Sequence, residues 1–265
     1  MPASAHLKVA AAALGASDAS VPVIAPAARV AHAAVRRVLA ADPVMAGLIE
    51  AAGPCRIGPG VLRNPFESLM HAIAHQQLNG TAATRILGRF TALFGGSDFP
   101  SPQQLLDADT PQLRAAGFSF AKIAALKDLA AKTLAGVVPA AAELALLPDL
   151  EIIERLTAVR GIGRWTVEMM LIFQLQRPDV LPVDDFGVRN GFRLAYRLRG
   201  LPLPRALGAY GERWKPYRSI AAWYLWRAVD LSRADRLPRC ARPPRIAVRV
   251  LADKVAPAAR RASKR

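Results

Sequence analysis

Apolar residues recur at three- and four-residue intervals almost without a break from Arg29 onward, the period of a helix with one buried face. Val30, Ala34 and Val38 begin the pattern, which pauses near Asp42-Pro43. After a loop at 53–64 it resumes from Phe66 to Leu78 through Leu69 and Ile73, and Asn79-Gly80 breaks it. A further helix is expected from Thr81 through Ile86, Leu87, Phe90 and Phe94, stopped by Gly95-Gly96. Thr110-Pro111 reads as an N-cap followed by proline at the first helical position, and Gly117 as the matching stop. Ser119 starts a helix through Ile123, Leu126, Leu129 and Leu134; Asp149 starts another through Ile152, Ile153 and Leu156. Only 246–251 alternates in the manner of a strand. The expected fold is therefore all-α, built from many short helices joined by short loops.

Composition matters at three points. Hydrophobic residues make up 52% of the 265, enough for a sizeable core. Two cysteines, Cys55 and Cys240, are too few for a disulfide scaffold, a four-thiolate zinc site or a cysteine-ligated iron–sulfur cluster. The net charge is +16, and it is uneven. Residues 236–265 carry ten Arg or Lys against Asp253 alone, giving +9 and leaving +7 for the rest. This predicts three regions: a mobile Ala/Pro-rich segment at 1–27, a helical domain at 28–235, and a flexible basic tail at 236–265. The tail fits a polyanion partner, since each neutralised phosphate releases counterions. No stretch approaches the apolar length of a membrane span, so a soluble, intracellular protein is expected.

The most specific segment is Leu156-Thr-Ala-Val159-Arg160-Gly161-Ile162-Gly163-Arg164-Trp165-Thr166. A helix ending near Val159 meets two glycines one residue apart, and an apolar helix follows at once. The glycines permit a tight turn and close approach of another backbone. The free N–H groups that open the second helix can then hold a phosphate without reading bases. Twenty residues beyond Trp165, the loop Leu181-Pro182-Val183-Asp184-Asp185-Phe186 ends in two carboxylates. Either could cap the helix that starts near Phe186.

Taken together these segments resemble the helix-hairpin-helix DNA glycosylases, most closely the DNA-3-methyladenine glycosylase II family. The resemblance covers roughly residues 65–230. It rests on the Leu-x-x-x-x-Gly-Ile-Gly-x-Trp-Thr hairpin at 158–166, the aspartate spacing, Phe66–Leu78, Leu113-Arg-Ala-Ala-Gly-Phe-Ser119, and Glu212-Arg-Trp-Lys-Pro-Tyr-Arg218 running on to Trp226. It implies two helical subdomains flanking a base-binding cleft, in the compact version without a β-rich domain before Phe66. It implies excision of alkylated purines such as 3-methyladenine and 7-methylguanine from double-stranded DNA. Excision of deaminated, oxidised or etheno bases, or DNA binding without catalysis, are the alternatives.

By the same resemblance Asp185 is the catalytic carboxylate and Asp184 the helix cap. Trp165, Trp226 and Met169 line the base pocket, Met169 standing where relatives carry tyrosine. Gly161, Ile162, Gly163, Arg164 and Thr166 form the hairpin on the DNA backbone. Gln77, Leu78 and Asn79 are candidates for the side chain that fills the gap left by a flipped base. Trp165 replaces the lysine that bifunctional relatives use to form a Schiff base, which implies base removal without strand cleavage. No cofactor is expected. Glu67, His71 and His75 lie four apart like metal ligands, but nothing else supports a catalytic metal. A monovalent cation on the backbone carbonyls of Thr157, Val159 and Ile162 is implied. Trp214, Tyr217, Trp223 and Tyr224 are expected in the core. A monomer in the cytoplasm or nucleoid of a bacterium completes the expectation.

Overall fold

A computed structural model describes residues 32–57, 64–78, 80–96 and 99–238. The expected mobile start, the basic tail beyond Pro238 and the 246–251 alternation lie outside them, as does Asn79. Among the described residues all regular structure is helical: α1 (His32–Leu39), α2 (Pro43–Ala52), α3 (Pro65–His75), α4 (Gly80–Ala92), α5 (Pro102–Asp107), α6 (Thr110–Ala116), α7 (Phe120–Leu134), α8 (Ala141–Leu146), α9 (Asp149–Thr157), α10 (Arg164–Phe173), α11 (Phe186–Ala195), α12 (Pro204–Gly211), a 3₁₀ turn (Glu212–Trp214) and α13 (Arg218–Arg233).

Short polar caps and prolines start these helices. The Asp42 carboxylate accepts the Val44 N–H at 3.0 Å, and the Asn64 side chain accepts that of Phe66 at 3.0 Å, each just before a proline. Ser101 and Gln104 form a reciprocal capping box. Two expected boundaries move. The helix from Phe66 ends at His75, not Leu78, because Gln77 turns into the left-handed region at φ 58°. Thr110 is already helical and Asp109 occupies the cap position, with no side-chain bond.

Two groups of helices share one continuous core. In the first, α3, α5 and α6 pack on the long α7. In the second, α13 packs against α11 and α2, so the start of the described chain returns to its end. Asp42 fastens that return. Besides capping α2, it accepts the Tyr196 hydroxyl at 2.5 Å and that of Tyr210 at 3.0 Å. Trp214, Trp223 and Tyr224 are buried and Tyr217 packs against the core, as expected.

Glycine sets the closest approach. A Cβ at Gly191 would lie 1.9 Å from the carbonyl oxygen of Leu225, so α11 and α13 touch backbone to backbone there. One turn earlier, a Cβ at Gly187 would meet Trp226 Cδ1 at 2.8 Å. This pair of small residues brings α13 onto the face of α11 that begins with Asp185.

Candidate active site

Asp185 sits at the start of α11 and is itself the cap: Oδ1 accepts the Val188 N–H at 2.7 Å. Asp184, expected to cap, is exposed instead. The reason is geometric. Asp185 has the extended backbone of an N-cap (φ −65°, ψ 122°), which sets its side chain over the first turn of the helix. Its carboxylate also accepts two indole N–H groups, Trp226 Nε1 on Oδ1 at 2.9 Å and Trp165 Nε1 on Oδ2 at 2.7 Å. Three donors from three elements fix the group, which is only 6% exposed. Oδ1 is engaged twice. Oδ2 accepts one of these bonds and keeps a lone pair for a further donor.

The loop that delivers Asp185 is fastened to the start of α13. Arg218 binds Asp179 through Nε (2.7 Å) and Nη2 (3.0 Å), and Ser219 Oγ accepts the Val180 N–H at 2.9 Å. The Arg213-to-Arg218 run singled out in the sequence therefore does structural work, since its last arginine holds the loop. The two tryptophans differ. Trp165 is 38% exposed and offers an open ring beside the carboxylate, whereas Trp226 is 2% exposed and stacks on Phe173 at 5.8 Å. Met169 is buried as well. In this conformation Trp226 and Met169 are therefore not open pocket walls. Trp226 aims the carboxylate, and Met169 belongs to the core. Phe186, 59% exposed and next to Asp185, is an available aromatic face that the sequence reading missed.

Glu168 was also missed. It lies on α10, 3% exposed, and accepts Arg164 Nε at 2.8 Å. Burial pushes its carboxyl pKa up, Arg164 opposes that shift, and the charges of Asp184 and Asp185 add to it. The signal was a lone acid in an otherwise apolar helix, four residues after an arginine.

In the hairpin the two glycines have separate tasks. Gly161 takes φ 79°, which favours glycine, and makes the turn; Gly163 has an ordinary φ of −91° with open space where a Cβ would be. Helix α7 braces the hairpin: Asp128 accepts the Arg160 N–H at 2.7 Å and Lys132 donates to the Ala158 carbonyl at 2.5 Å. Of the other candidates, Gln77 is exposed and Leu78 half-buried. The His71 ring packs on Phe99 at 4.8 Å, with its centroid 6.2 Å from that of His75. Among the described residues no three metal-type side chains converge.

A buried, triply held carboxylate beside an open indole on the helix that a Gly-x-Gly hairpin starts defines a class. The chain belongs to the HhH-GPD superfamily of base excision DNA repair proteins, whose family model matches residues 70–216. Among particular relatives it is 44% identical over 170 residues to DNA-3-methyladenine glycosylase 1 of Schizosaccharomyces pombe, covering 64% of this chain and 75% of that one. A solved structure of 3-methyladenine DNA glycosylase from that yeast, in complex with abasic DNA, superposes with a TM-score of 0.62 at 40% identity, covering 73% of this chain and 95% of the other. The DNA-3-methyladenine glycosidase of Bacillus halodurans superposes with a TM-score of 0.67 at 36% identity, over 76% and 91%.

Proposed function

We propose that this protein is a monofunctional DNA glycosylase that flips out and hydrolytically excises alkylated purines, 3-methyladenine and 7-methylguanine foremost. The observation that carries the proposal is the Asp185 carboxylate, fixed by Val188, Trp165 and Trp226 with one Oδ2 lone pair free. As the bond from base to sugar breaks, positive charge develops on the sugar. A fixed carboxylate stabilises that charge, and its free lone pair orients the attacking water. The water adds to the sugar carbon and its proton passes to Oδ2 or solvent. A cationic methylated base departs neutral, so it needs no proton donor. Trp165, half-open beside the carboxylate, stacks on that cation.

The other assignments belong to the same reading. The N–H groups of Gly161, Gly163 and Arg164 hold a DNA phosphate at the start of α10, while Ile162 and Thr166 shape the turn by donating their N–H groups to the Val159 and Gly163 carbonyls at 3.1 and 3.0 Å. Gln77, exposed and held in a left-handed conformation, is the side chain that enters the duplex. A monovalent cation on the carbonyls of Thr157, Val159 and Ile162 would add positive charge beneath that phosphate. The Val159 carbonyl supports this assignment. The Ala158 carbonyl beside it is turned to Lys132, and that of Val159 accepts only the Ile162 N–H at 3.1 Å, leaving a lone pair. Trp165 at the position of the Schiff-base lysine makes the enzyme monofunctional. Among the described residues no helix is long and apolar enough to cross a membrane.

The test is single-turnover release from duplexes carrying one defined base. Release of 3-methyladenine and 7-methylguanine ahead of hypoxanthine and uracil is expected, with strand breaks only after alkali and no adduct trapped by borohydride. Preference for uracil or 8-oxoguanine would refute the substrate assignment. A trapped adduct would refute the monofunctional one.

A further inference from the structure

The turn after α3 and the hairpin lie 85 residues apart in sequence, yet a side chain joins them directly: Gln76 Nε2 donates to the Gly161 carbonyl at 2.7 Å. Gln76 is the C-cap that follows His75 at the end of α3, immediately before the left-handed Gln77. Its own carbonyl is also occupied. Lys122 Nζ donates to it at 2.8 Å and to the Ala74 carbonyl at 2.7 Å, so one ammonium satisfies two of the carbonyls a helix leaves open at its C-terminus. Lys122 stands at the start of α7, in the turn capped by Ser119, which accepts the Lys122 N–H at 3.3 Å.

The same helix carries the hairpin. Ala125 lies 3.4 Å from where a Gly161 Cβ would be, Asp128 accepts from Arg160 N–H, and Lys132 donates to Ala158. Positions 122, 125, 128 and 132 follow helical spacing and fall on one face of α7. That face is a rail with the turn at one end and the hairpin along the rest, and Gln76 closes the triangle between them. Neither Gln76 nor Lys122 is needed to build the Asp185 site, which α10, α11 and α13 assemble.

We infer that Gln76 and Lys122 are positioning residues that lock the Gln77–Leu78 turn to the hairpin, so that gripping a phosphate and inserting the turn into the duplex become one rigid movement. This rests on the glycosylase reading above. The locked turn pays no ordering cost when it enters DNA. Without the lock, insertion has to compete with the stacking and pairing of the lesion, and the loss is greatest where the lesion is well paired.

The experiment uses the full chain and the Gln76→Met and Lys122→Met variants, the first of similar length but without a donor. Single-turnover excision of 7-methylguanine is measured from a duplex with the lesion opposite cytosine, and from the same duplex with the lesion opposite an abasic analogue. A 2-aminopurine beside the lesion reports insertion by its fluorescence, independently of chemistry. Gln76→Met should lose about tenfold on the paired lesion, the worth of one hydrogen bond. It should lose little on the unpaired one, with a smaller fluorescence rise and a melting temperature lower by only a few degrees; Lys122→Met, which removes two bonds, should show the same excision pattern with a larger drop in melting. Equal losses on both duplexes, or an unchanged fluorescence rise, would overturn the inference. Failure of the wild type to release 7-methylguanine while its 2-aminopurine signal still rises and falls with Gln76 would instead count against the substrate reading alone.

Discussion

Replacing Asp185 by asparagine exchanges one oxygen for an NH₂ group, and the structure shows where that exchange is felt. The carbonyl oxygen of an asparagine can keep both bonds now made to Oδ1, from Val188 N–H and Trp226 Nε1. The NH₂ group then points at Trp165 Nε1, now 2.7 Å from Oδ2, and two donors face each other. Turning the amide over is worse, since it sets the NH₂ against two donors. Trp165 must therefore let go. It is partly exposed, so its N–H can turn to water, and the folding cost stays at about 1–2 kcal/mol. Catalysis loses more, because the negative charge opposite the developing positive charge is gone. A lost preorganised electrostatic group costs roughly a hundredfold to a thousandfold in rate. Single-turnover release of 7-methylguanine, affinity for an abasic-analogue duplex, and thermal melting separate these effects. We expect excision to fall at least about a hundredfold, affinity to hold, and melting to drop by a few degrees. Asp184→Asn, on an exposed carboxylate that caps nothing, should leave melting unchanged. Excision within tenfold of wild type, or affinity falling in step with rate, would refute the role given to Asp185.

Three further outcomes are expected. Asp42→Ala strips a cap and leaves two buried tyrosine hydroxyls without their acceptor, so chemical unfolding should register a loss of about 3 kcal/mol with the excision rate per folded molecule preserved. Burial raises the folded Glu168 pKa above its unfolded value, so this group's contribution to stability is greatest below the ordinary carboxyl range and is lost as pH rises through the folded value. Glu168→Gln should therefore melt higher than wild type at pH 8 and lose that advantage near pH 4; an advantage that shrinks as pH rises would contradict this. Deleting residues 241–265 removes eight basic side chains, and if several touch phosphates the log–log salt slope of DNA binding should fall by close to one unit per lost contact, with excision at saturating DNA unchanged.

The parts of this site that could be read from sequence are those in which one residue implies its own local geometry. Gly161 announces a turn because few other residues tolerate its φ, and an aspartate after a proline-rich loop announces a helix start. Choosing between Asp184 and Asp185 as the cap needed more than type and spacing, because adjacent carboxylates are equivalent until the backbone assigns one of them the extended conformation. The dual task of Asp185, cap and reactive group together, was hidden for the same reason. Contacts between distant segments were hidden more deeply. Nothing local says that Trp226 lies buried on Phe173 with its N–H aimed at Asp185, or that Gln76 reaches Gly161. One clue was available, the Gly187-x-x-x-Gly191 spacing in the helix after Asp185. Small residues one turn apart open a flat lane for a second helix, and here that lane admits α13 so closely that the Leu225 carbonyl fills the space of a missing methyl group. Followed from the sequence, the lane would have placed an aromatic-rich helix against the carboxylate and made the tryptophan bonds to Asp185 an expectation. The Asp185 geometry thus depends on two glycines that touch no substrate, and a methyl group at Gly187 would press on both Trp226 and Asp185 Oδ1, 2.8 and 3.0 Å away.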